Sequence, residues 1–341
     1  MTIALGDYLG AVPTLVAERI AGARQALIVS HENPDADTLG AALGVARIIE
    51  FHGGRATTVC SDPVPPLYDF LPGVTAERTD PDPGTAYDLL VIVDCGTLDR
   101  VGEIGRRHAA LFERLPRVTI DHHLSNPGSS MPGADWIDPH SAATCEMVVL
   151  LAARLGVPLD VADGALAVAL MAGIVMDTST FAHSNVTPRT LQVAAALVEV
   201  GAPLAEISRR LYRTKPDAQL RLFGRVLERL ETSNEGLVVW SSLFDADLTA
   251  TGTSPADSEG IIDLLSQAED AEVTIIFKEA AGETRISVRT QPDGVDATVL
   301  TGEFGGGGHA RASGATIHLP LAEARPAVLA EASRLALAVS R

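Results

Sequence analysis

Polar side chains follow the apolar segments in the first half of this 341-residue chain, at the points where those segments end. "ALIVS" runs into a histidine and two aspartates, "LLVIV" runs directly into Asp94, and "RVTI" runs into an aspartate and two histidines. An apolar run over 165–176 ends in Asp177. The residues in question are His31, Asp35, Asp37, Asp94, Asp121, His122, His123 and Asp177. Carboxylates and imidazoles are ligands for divalent cations, so the first chemistry that the sequence indicates is metal binding.

Four or five carboxylates gathered in one place would repel one another, and each would acquire a raised pKa or destabilise the fold. A divalent cation removes that repulsion. Mixed carboxylate and imidazole ligands suit Mn²⁺, Fe²⁺, Co²⁺ or Zn²⁺, whereas sites made of oxygen alone suit Mg²⁺ or Ca²⁺. There are enough ligands for two ions, and one carboxylate would bridge them because two-metal sites hold their ions about 3.5–4 Å apart. Asp94 lies in the middle of the set, and we expect it to be the bridge.

Strands and helices alternate in this half of the chain, which places the polar residues on a common edge. The segments "QALIVS", "RATTVCS", "DLLVIVD" and "RVTID" indicate strands, and the patterns over 38–51 and 103–115 indicate helices. Such alternation predicts a mostly parallel sheet covered by helices on both faces. Ligand sites of open α/β sheets lie at the carboxyl ends of the strands, and the polar residues follow those ends.

The rest of the chain indicates a helical stretch and then a second set of strands. Residues 142–230 show a helical pattern with breaks at glycines and prolines, and strands return after residue 236 as "LVVWSSLF", "EVTIIFKE", "TRISVRT" and "ATIHLP". We therefore expect an α/β protein with an N-terminal, mostly parallel sheet flanked by helices (1–190) and a smaller C-terminal α/β domain (233–341). A helical connector (191–232) would let the two open and close around a cleft.

Charge and cysteine content limit the partners and the compartment. The net charge of −18 makes the chain a poor electrostatic partner for long duplex nucleic acid or anionic membranes. Three scattered cysteines without a CxxC spacing are typical of reduced thiols. The N-terminal segment lacks the basic start of a signal peptide, and the apolar run over 165–176 is too short to span a bilayer. We expect a cytoplasmic protein.

Each of these residues also has an ordinary explanation when it is considered alone. Asp37 could cap the helix that follows it, Asp94 could cap a loop, and His31 could be a buried polar residue with no ligand. The segment "GGGGHARASG" (305–314) could be a flexible loop, and Arg289 could form a surface ion pair. The joint occurrence of the acidic and imidazole groups at successive strand ends favours the metal site over these alternatives.

Five segments, in order along the chain, resemble one known family. "HENPDAD", "VIVDCG", "IDHH" and "GIVMDTSTF" resemble the four motifs of the DHH phosphoesterases, and "GGGGHARASG" resembles the glycine-rich motif of the DHHA1 domain that accompanies them. "SVRT" (287–290) is similar to the arginine-bearing strand of the same domain. The family often has glycine where this chain has Ala36 and Ser179, but both positions lie beside expected ligands rather than on them. The length is close to that of the bifunctional oligoribonuclease and PAP phosphatase group.

The resemblance implies a metal centre of two Mn²⁺ ions per chain. The first ion would be held by His31, Asp35 and Asp94, and the second by Asp37, Asp94, His122 and Asp177. The resemblance further implies that the ions activate a water for attack on phosphorus. His123 would act as a donor or acid towards the scissile phosphate. We expect Asp121 to orient a ligand histidine, as carboxylates beside metal sites commonly do.

The C-terminal domain is expected to hold the substrate. Consecutive glycines let the backbone approach a phosphate closely, and their amides can form an anion-binding nest. An arginine on a strand can clamp a terminal phosphate with two donors. With the resemblance, the expected substrate contacts are Arg289, Gly306, Gly307, Gly308, His309 and Arg311.

The activity implied by the resemblance is that of a Mn²⁺-dependent phosphodiesterase and phosphomonoesterase with Asp94 and His123 as catalytic residues. Its substrates would be short oligoribonucleotides, linear dinucleotides such as pApA, and 3′-phosphoadenosine 5′-phosphate, with cyclic di-AMP as a further candidate. The alternatives are a RecJ-like single-strand exonuclease and a metal-bound nucleotide sensor without turnover. The resemblance also implies a homodimer.

Overall fold

The structure, a computed structural model, describes residues 5–126, 128, 133–233, 236–292 and 294–339. They form two compact units, and the chain passes from the first to the second between Thr214 and Lys215. Among the described residues no single helix is long and apolar enough to cross a membrane, and only a pair of helices bent by 112° (188–199 and 204–212) reaches that length and composition together.

Five parallel strands form the sheet of the first unit. They are β1 (Gln25–Val29), β2 (Arg55–Val59), β3 (Leu89–Val93), β4 (Arg117–Asp121) and β5 (Gly133–Ile137). Their order is β2-β1-β3-β4-β5, and every neighbouring pair is parallel. The predicted parallel sheet is therefore confirmed. The prediction omitted β5, whose sequence GADWI is short and begins with glycine, a residue that is depleted in strands.

Eight helices accompany this sheet in the described residues. They are α1 (Thr14–Gly22), α2 (Ala36–Phe51), α3 (Glu103–Arg107), α4 (Ala109–Arg114), α5 (Thr144–Arg154), α6 (Ala165–Asp177), α7 (Pro188–Glu199) and α8 (Leu204–Tyr212). The prediction of one helix over 103–115 is wrong, because His108 leaves the helical backbone region (φ −113°, ψ 24°) and separates α3 from α4. Its imidazole Nε2 lies 2.8 Å from the Asp80 carboxylate.

Both faces of the sheet are covered, because successive strand residues point to opposite sides. Ile28 and Val91 lie opposite each other in the register of β1 and β3, and both belong to the core formed with α2, α5 and α6. Leu27 and Ile92 point to the other face, where they pack with Ile104 of α3. Burial on both sides explains why these strands have nearly continuous apolar sequences.

Six strands form the sheet of the second unit. They are β6 (Glu231–Thr232), β7 (Val238–Leu243), β8 (Val273–Ala280), β9 (Glu283–Thr290), β10 (Gly307–His309) and β11 (Ala312–Ile317). The sheet order is β10-β11-β9-β8-β7-β6, with β7 and β8 parallel and the other pairs antiparallel. The smaller C-terminal α/β domain is thus confirmed. The prediction omitted β6, which has two residues, and β10, which is mostly glycine.

Five helices pack on the two faces of this second sheet. They are α9 (Asp217–Leu227), α10 (Asp245–Thr251), α11 (Ile261–Leu265), α12 (Ala297–Gly302) and α13 (Leu321–Val339). One face packs Ile275 and Val288 against Val328 of α13. The other face packs Ile276 against residues of α9 and α11, including Phe223 and Ile261.

The stretch 191–232, expected to be a connector, contains helices that belong to the core of one unit or the other. Val193 and Leu197 of α7 and Ile207 of α8 are part of the first unit's core. Leu222 of α9 is part of a core in the second unit. The domain limits at 190 and 232 stay predictions.

Candidate metal centre

Side chains from β1, β3, β4, α2 and α6 meet at the carboxyl edge of the first sheet. They form three groups, and within each group the potential ligand atoms lie within 4.8 Å of one another. The groups are His31–Asp35–Asp94, Asp37–His122–Asp177 and Asp94–His122–His123. Every residue of the predicted ligand set is therefore present in this cluster. The first group contains the ligands predicted for the first ion, and the second group contains those predicted for the second ion except Asp94.

Asp94 belongs to the first group and also faces the second. Its Oδ2 is 3.6 Å from Nε2 of His31, and its Oδ1 is 3.6 Å from Nε2 of His122. The residue follows β3 with φ of 54°, a left-handed conformation that costs a non-glycine residue roughly 1–2 kcal/mol. Strained backbone of this kind is often retained at functional sites. The two oxygens of this buried carboxylate can thus serve two neighbouring ions.

The two candidate ligand histidines are each oriented through a hydrogen bond of Nδ1. Nδ1 of His31 donates to the carbonyl oxygen of Glu32 at 2.7 Å, and Nδ1 of His122 donates to that of Ser141 at 3.3 Å. A carbonyl oxygen can only accept, so the proton lies on Nδ1 and Nε2 is the atom that faces the carboxylates. Orientation of a metal-binding imidazole through its other nitrogen is typical of metal sites.

The start of α2 supplies two carboxylates with different supports. Asp35 is the N-cap of the helix, because its Oδ1 accepts from the amides of Asp37 at 2.9 Å and Thr38 at 3.0 Å. The alternative in which Asp37 caps the helix is therefore wrong. Asp37 lies inside the first turn and accepts from the backbone N–H groups of Thr144 at 2.7 Å and Cys145 at 2.9 Å, at the start of α5.

Gly173 of α6 leaves the space that the Asp37 carboxylate occupies. A Cβ atom at this position would lie 2.5 Å from Oδ1 of Asp37 and still closer to Sγ of Cys145. Only glycine permits this approach between α6 and the start of α2. The sequence offers one signal for it, a glycine inside an otherwise apolar helical run, which often marks a packing or functional constraint.

Asp177 is the last residue of α6, where the helix dipole disfavours a negative charge. Its Oδ2 lies 3.1 Å from Nε2 of His122. Ser179, Thr180 and Phe181 then follow with φ of 47°, 57° and 64°. The positive φ of Ser179 is a conformation that glycine adopts without a Cβ penalty.

Asp121 contacts a different histidine from the one that was expected. Its Oδ1 lies 2.7 Å from Nδ1 of His123, and its Oδ2 accepts from Nδ2 of Asn126 at 2.6 Å. The expectation that Asp121 orients a ligand histidine such as His122 is therefore corrected. Side chains alternate between the two faces at the end of β4, so Asp121 and His123, which are two residues apart, point to the same side.

Burial and mutual repulsion raise the pKa values of three carboxyl groups in the cluster. Burial is the largest cause for Asp35, whose pKa rises to about 6, and the charges of Asp94 and Asp177 add to it. The pKa values of Asp37 and Asp177 are raised for the same reasons. This cluster of anions therefore requires nearby positive charge in order to ionise fully.

Imidazolium groups supply positive charge within the protein itself. Burial alone would lower the pKa of His122, but the hydrogen bond to Asp177 and the charges of Asp37, Asp177 and Asp94 raise it to about 10. Burial would raise the pKa of Asp94, but the hydrogen bond with His31 and the charge of His122 outweigh burial and lower it. Bound divalent cations would replace these protons, so the charge balance of the cluster fits a metal centre.

The chemistry of the donor atoms also fits divalent ions of the Mn²⁺ to Zn²⁺ series. All of the candidate ligand atoms are carboxylate oxygens or imidazole nitrogens. Cys145 is the cysteine nearest to Asp37, but burial raises the pKa of its thiol well above the usual value, and its Sγ donates to the Asp37 carbonyl at 3.4 Å. It therefore does not act as a thiolate ligand.

The segment 138–146, which leads into the first turn of α5, positions several of the cluster's side chains and was missed by sequence reasoning. The Ser141 carbonyl accepts from His122, and the Thr144 hydroxyl donates to Oδ1 of Asp94 at 3.0 Å. The amides of Thr144 and Cys145 hold Asp37. Nothing in the sequence pattern distinguishes these residues from ordinary loop and helix-start residues.

A buried ion-pair network fixes this segment in turn. Oε1 of the fully buried Glu146 accepts from Nε of Arg189 at 2.5 Å. The same guanidinium donates to the Asp138 carboxylate at 3.0 Å and to the Ser141 hydroxyl at 2.7 Å. Oε2 of Glu146 accepts from the Thr190 hydroxyl at 2.8 Å. The network ties the segment to the first turn of α7.

The predicted substrate contacts lie in the second unit, where two arginines already have partners. Nε of Arg289 donates to Asp263 at 3.2 Å, and Nη1 donates to the Val288 carbonyl at 3.3 Å. Nη1 of Arg311 donates to the Val295 carbonyl at 3.1 Å. A phosphate at Arg289 would compete with the Asp263 carboxylate, so contact with substrate stays a prediction.

The glycine-rich segment is partly a strand rather than a loop. The Gly306 amide donates to the Thr301 carbonyl at 2.8 Å, so it is not free to bind a phosphate. Gly307 and Gly308 belong to β10 and pair with β11, and Gly308 has φ of 146°. The side chain of His309 lies outside the described part of the structure.

The first unit has an open parallel sheet, and a carboxylate–imidazole cluster lies at the carboxyl edge of that sheet. These two features place the chain among α/β proteins that can hold divalent metal ions. Residues 25–174 match the model of the DHH family, N-terminal domain, and residues 240–337 match the DHHA1 domain. The bifunctional oligoribonuclease and PAP phosphatase NrnA of Thermus thermophilus is 33% identical over 294 residues, which cover 85% of this chain and 83% of that protein. The chain belongs to the DHH family of phosphoesterases and carries its DHHA1 domain, as the motifs predict.

Two further similarities extend the comparison. The cyclic-di-AMP phosphodiesterase PdeA of Listeria monocytogenes is 26% identical over 306 residues, which cover 86% of this chain and 44% of that protein. The crystal structure of an exopolyphosphatase-related protein from Bacteroides fragilis has a TM-score of 0.86 at 23% identity, covering 95% of this chain and 96% of that chain. The latter shows that the same fold extends over both units.

Proposed function

We propose that this chain is a Mn²⁺-dependent phosphodiesterase and phosphomonoesterase for short nucleotides. It would hydrolyse short oligoribonucleotides and linear dinucleotides such as pApA to mononucleotides, and 3′-phosphoadenosine 5′-phosphate to AMP. The observation that carries the proposal is the position of Asp94, with one oxygen facing His31 and the other facing His122. The names of the full-length relatives support this substrate class.

Two Mn²⁺ ions would be held by the two predicted ligand sets, which share Asp94. The ligands of the first are His31, Asp35 and Asp94, and those of the second are Asp37, Asp94, His122 and Asp177. Such ions lower the pKa of a bound water and neutralise charge on phosphate oxygens. Backbone amides hold the carboxylates of Asp35 and Asp37, and backbone carbonyls hold the imidazoles of His31 and His122. These hydrogen bonds orient the ligand atoms before any ion binds.

His123 is the residue placed to move a proton. The buried Asp121 carboxylate holds the proton on Nδ1 of His123, which leaves Nε2 to donate to or accept from a phosphate ester. The carboxylate fixes the orientation of the ring, so Nε2 of His123 is the atom available for proton transfer with the leaving oxygen. Asn126 completes the chain by donating to Asp121.

The substrate class is limited to short molecules by the charge of the chain. With a net charge of −18, only local groups can attract phosphates, and a long strand would be repelled outside the site. Cyclic di-AMP stays a further candidate, in line with the name of the Listeria relative. We also propose that the chain acts in the cytoplasm and that it forms a homodimer. Light scattering on the purified protein would test the homodimer.

A product assay tests the proposal. The full chain with Mn²⁺ is incubated with pApA, 3′-phosphoadenosine 5′-phosphate, cyclic di-AMP, a five-nucleotide RNA and a long single-stranded DNA. We expect mononucleotide release from the short substrates, and its loss in Asp94→Asn but not in the exposed control Asp99→Asn. Degradation of the long DNA as fast as the dinucleotide would favour a RecJ-like exonuclease, and binding without any product would establish a sensor.

A further inference from the structure

A cavity of about 830 Å³ opens on one face of the second unit's sheet. Lys278 of β8 and Arg285 of β9 line it, together with Ser287 and Thr316. These residues share one face of the sheet because Lys278 lies opposite Arg285 in the register of β8 and β9, and Arg285 lies opposite Thr316 in that of β9 and β11. Ser287 belongs to the "SVRT" segment, whereas Lys278, Arg285 and Thr316 lie outside the motifs that carry the family resemblance.

Lys278 and Arg285 are two like charges placed directly opposite each other. Residues in this position have Cβ atoms about 4.5–5.5 Å apart, and like charges there destabilise a sheet. Within the ranges that the structure describes, neither side chain forms a hydrogen bond or an ion pair. Other cations of the second unit are paired, for example Arg229 with Asp247 and Arg289 with Asp263. Lys278 is half-buried and Arg285 is exposed, so both remain free to contact an anion that enters the cavity.

The cavity makes this arrangement more costly, because Lys278 is partly withdrawn from solvent. Burial lowers the pKa of Lys278, and although the charge of Glu259 opposes the change, those of Arg289 and Arg285 add to it. A half-buried cation beside a second cation is stabilised when an anion binds between them. The pair therefore has the chemistry of an anion site that is completed by a ligand.

The remaining walls of the cavity suit the rest of a nucleotide. Leu243, Leu248 and Pro255 supply an apolar surface on which a nucleobase can lie, and Asp245 supplies a carboxylate that can accept from an exocyclic amino group. Glu279 also lines the cavity, and its carboxylate accepts from the Asp245 amide at 3.1 Å. The volume lies within the range of about 300–1,000 Å³ that is typical of small-molecule sites.

We propose that Lys278 and Arg285 bind a phosphate group of a short nucleotide in this cavity. The identity of the ligand rests on the proposed function, but the clamp itself belongs to the second unit alone. The predicted contact Gly306 also lines this cavity, but its amide is already used by Thr301; Arg289 does not line the cavity and is paired with Asp263.

Steady-state kinetics of the Mn²⁺-loaded full chain test the clamp. The variants are Lys278→Met, Arg285→Met and the double variant, and the control is Arg334→Met, an exposed cation of α13 that pairs with Glu331. Loss of charge-assisted hydrogen bonds should raise KM for 3′-phosphoadenosine 5′-phosphate about ten- to a hundredfold in the double variant. The kcat of the double variant for the same substrate should stay within about twofold of the wild-type value, and the control should match the wild type.

An unchanged KM for the nucleotide in the folded double variant would overturn the clamp. If the double variant does not fold, Arg285→Lys and Arg285→Gln decide, since the first should retain most affinity and the second should lose it. If the wild type hydrolyses no nucleotide, the proposed function fails, and calorimetry with AMP then tests the clamp separately. Equal affinity of wild type and double variant for AMP would overturn it, and a tenfold or greater loss would support it.

Discussion

The hydroxyl group of Thr144 donates a hydrogen bond to Oδ1 of Asp94 at 3.0 Å, in the interior of the first unit. Asp94 is the carboxylate that faces both candidate metal positions, so Thr144 determines the direction of one of its two oxygens. The same residue contributes the amide that holds Asp37. One residue at the start of α5 thus supports both groups of ligands.

Thr144→Val should weaken Mn²⁺ binding with little effect on the fold. The substitution keeps the shape of the side chain but removes a hydrogen bond to a charged acceptor, worth about 1.5–3 kcal/mol, so Mn²⁺ affinity should fall about ten- to a hundredfold. Isothermal titration calorimetry measures the affinity. Thr144→Ser retains the hydroxyl and should bind as the wild type does; a Thr144→Val variant with wild-type affinity would show that Asp94 needs no such support.

Gly173→Ala should disrupt the centre through a steric clash. The added methyl group would lie 2.5 Å from Oδ1 of Asp37, so either the carboxylate or α6 must move, at a cost of about 1–3 kcal/mol. We expect a lower free energy of unfolding in urea and weaker Mn²⁺ binding. Gly224 of α9 has open space around it, so Gly224→Ala should instead stabilise the protein by about 0.5–1 kcal/mol. Equal behaviour of the two variants would contradict the packing argument.

Ser179→Gly should stabilise the protein. Ser179 has φ of 47°, and glycine adopts this conformation without the penalty of roughly 1–2 kcal/mol that a Cβ atom brings. Part of the gain is lost to the greater freedom of glycine in the unfolded chain, so about 1 kcal/mol or less should remain. Ser184→Gly serves as the control, because Ser184 is not among the residues with positive φ and should lose stability. Urea unfolding of both variants measures the difference.

The stabilisation by Mn²⁺ should increase with pH. In the metal-free protein the pKa of Asp35 is raised from 3.8 to about 6, and that of His122 from 6.5 to about 10. A raised pKa in the folded state means that stability is lost as pH rises, between about 4 and 6 for Asp35 and between about 6.5 and 10 for His122. Metal binding requires the deprotonated forms, so Mn²⁺ restores this stability.

Thermal unfolding with and without Mn²⁺ at pH 5, 6.5 and 8 provides the measurement. The rise in Tm caused by Mn²⁺ should be smallest at pH 5 and largest at pH 8. A rise that is constant or that shrinks with pH would show that the carboxylates and imidazoles of the cluster do not exchange protons for metal.

Much of the candidate centre could be predicted from the sequence, because its candidate ligands follow apolar strands. Residues after parallel strands meet at one edge by topology alone, which is how His31, Asp94 and His122 could be recognised. The supports could not be predicted in this way. Thr144 and Gly173 act through approaches between α2, α5 and α6, and such packing leaves no local pattern in the sequence.

The second unit shows the same limit. Four of its six strands were visible in the apolar pattern, but the two-residue β6 was missed. The strand β10 was missed because glycine disfavours strands and its pairing with β11 is a tertiary effect. The position of Lys278 opposite Arg285 depends on the register of β8 and β9, which only the structure supplies. A motif can identify a strand, but the cross-strand neighbours decide which side chains can bind together.

The central claim, that Asp94 is shared by two metal ions, is tested most directly by the metal content of the folded protein. Wild type, Asp94→Asn and the control Asp99→Asn are loaded with Mn²⁺, desalted and analysed by mass spectrometry, with circular dichroism to confirm the fold. We predict two Mn²⁺ ions per chain in the wild type and in the control, and one ion or none in Asp94→Asn. Two tightly bound ions in Asp94→Asn, or a single ion in the wild type, would contradict the account.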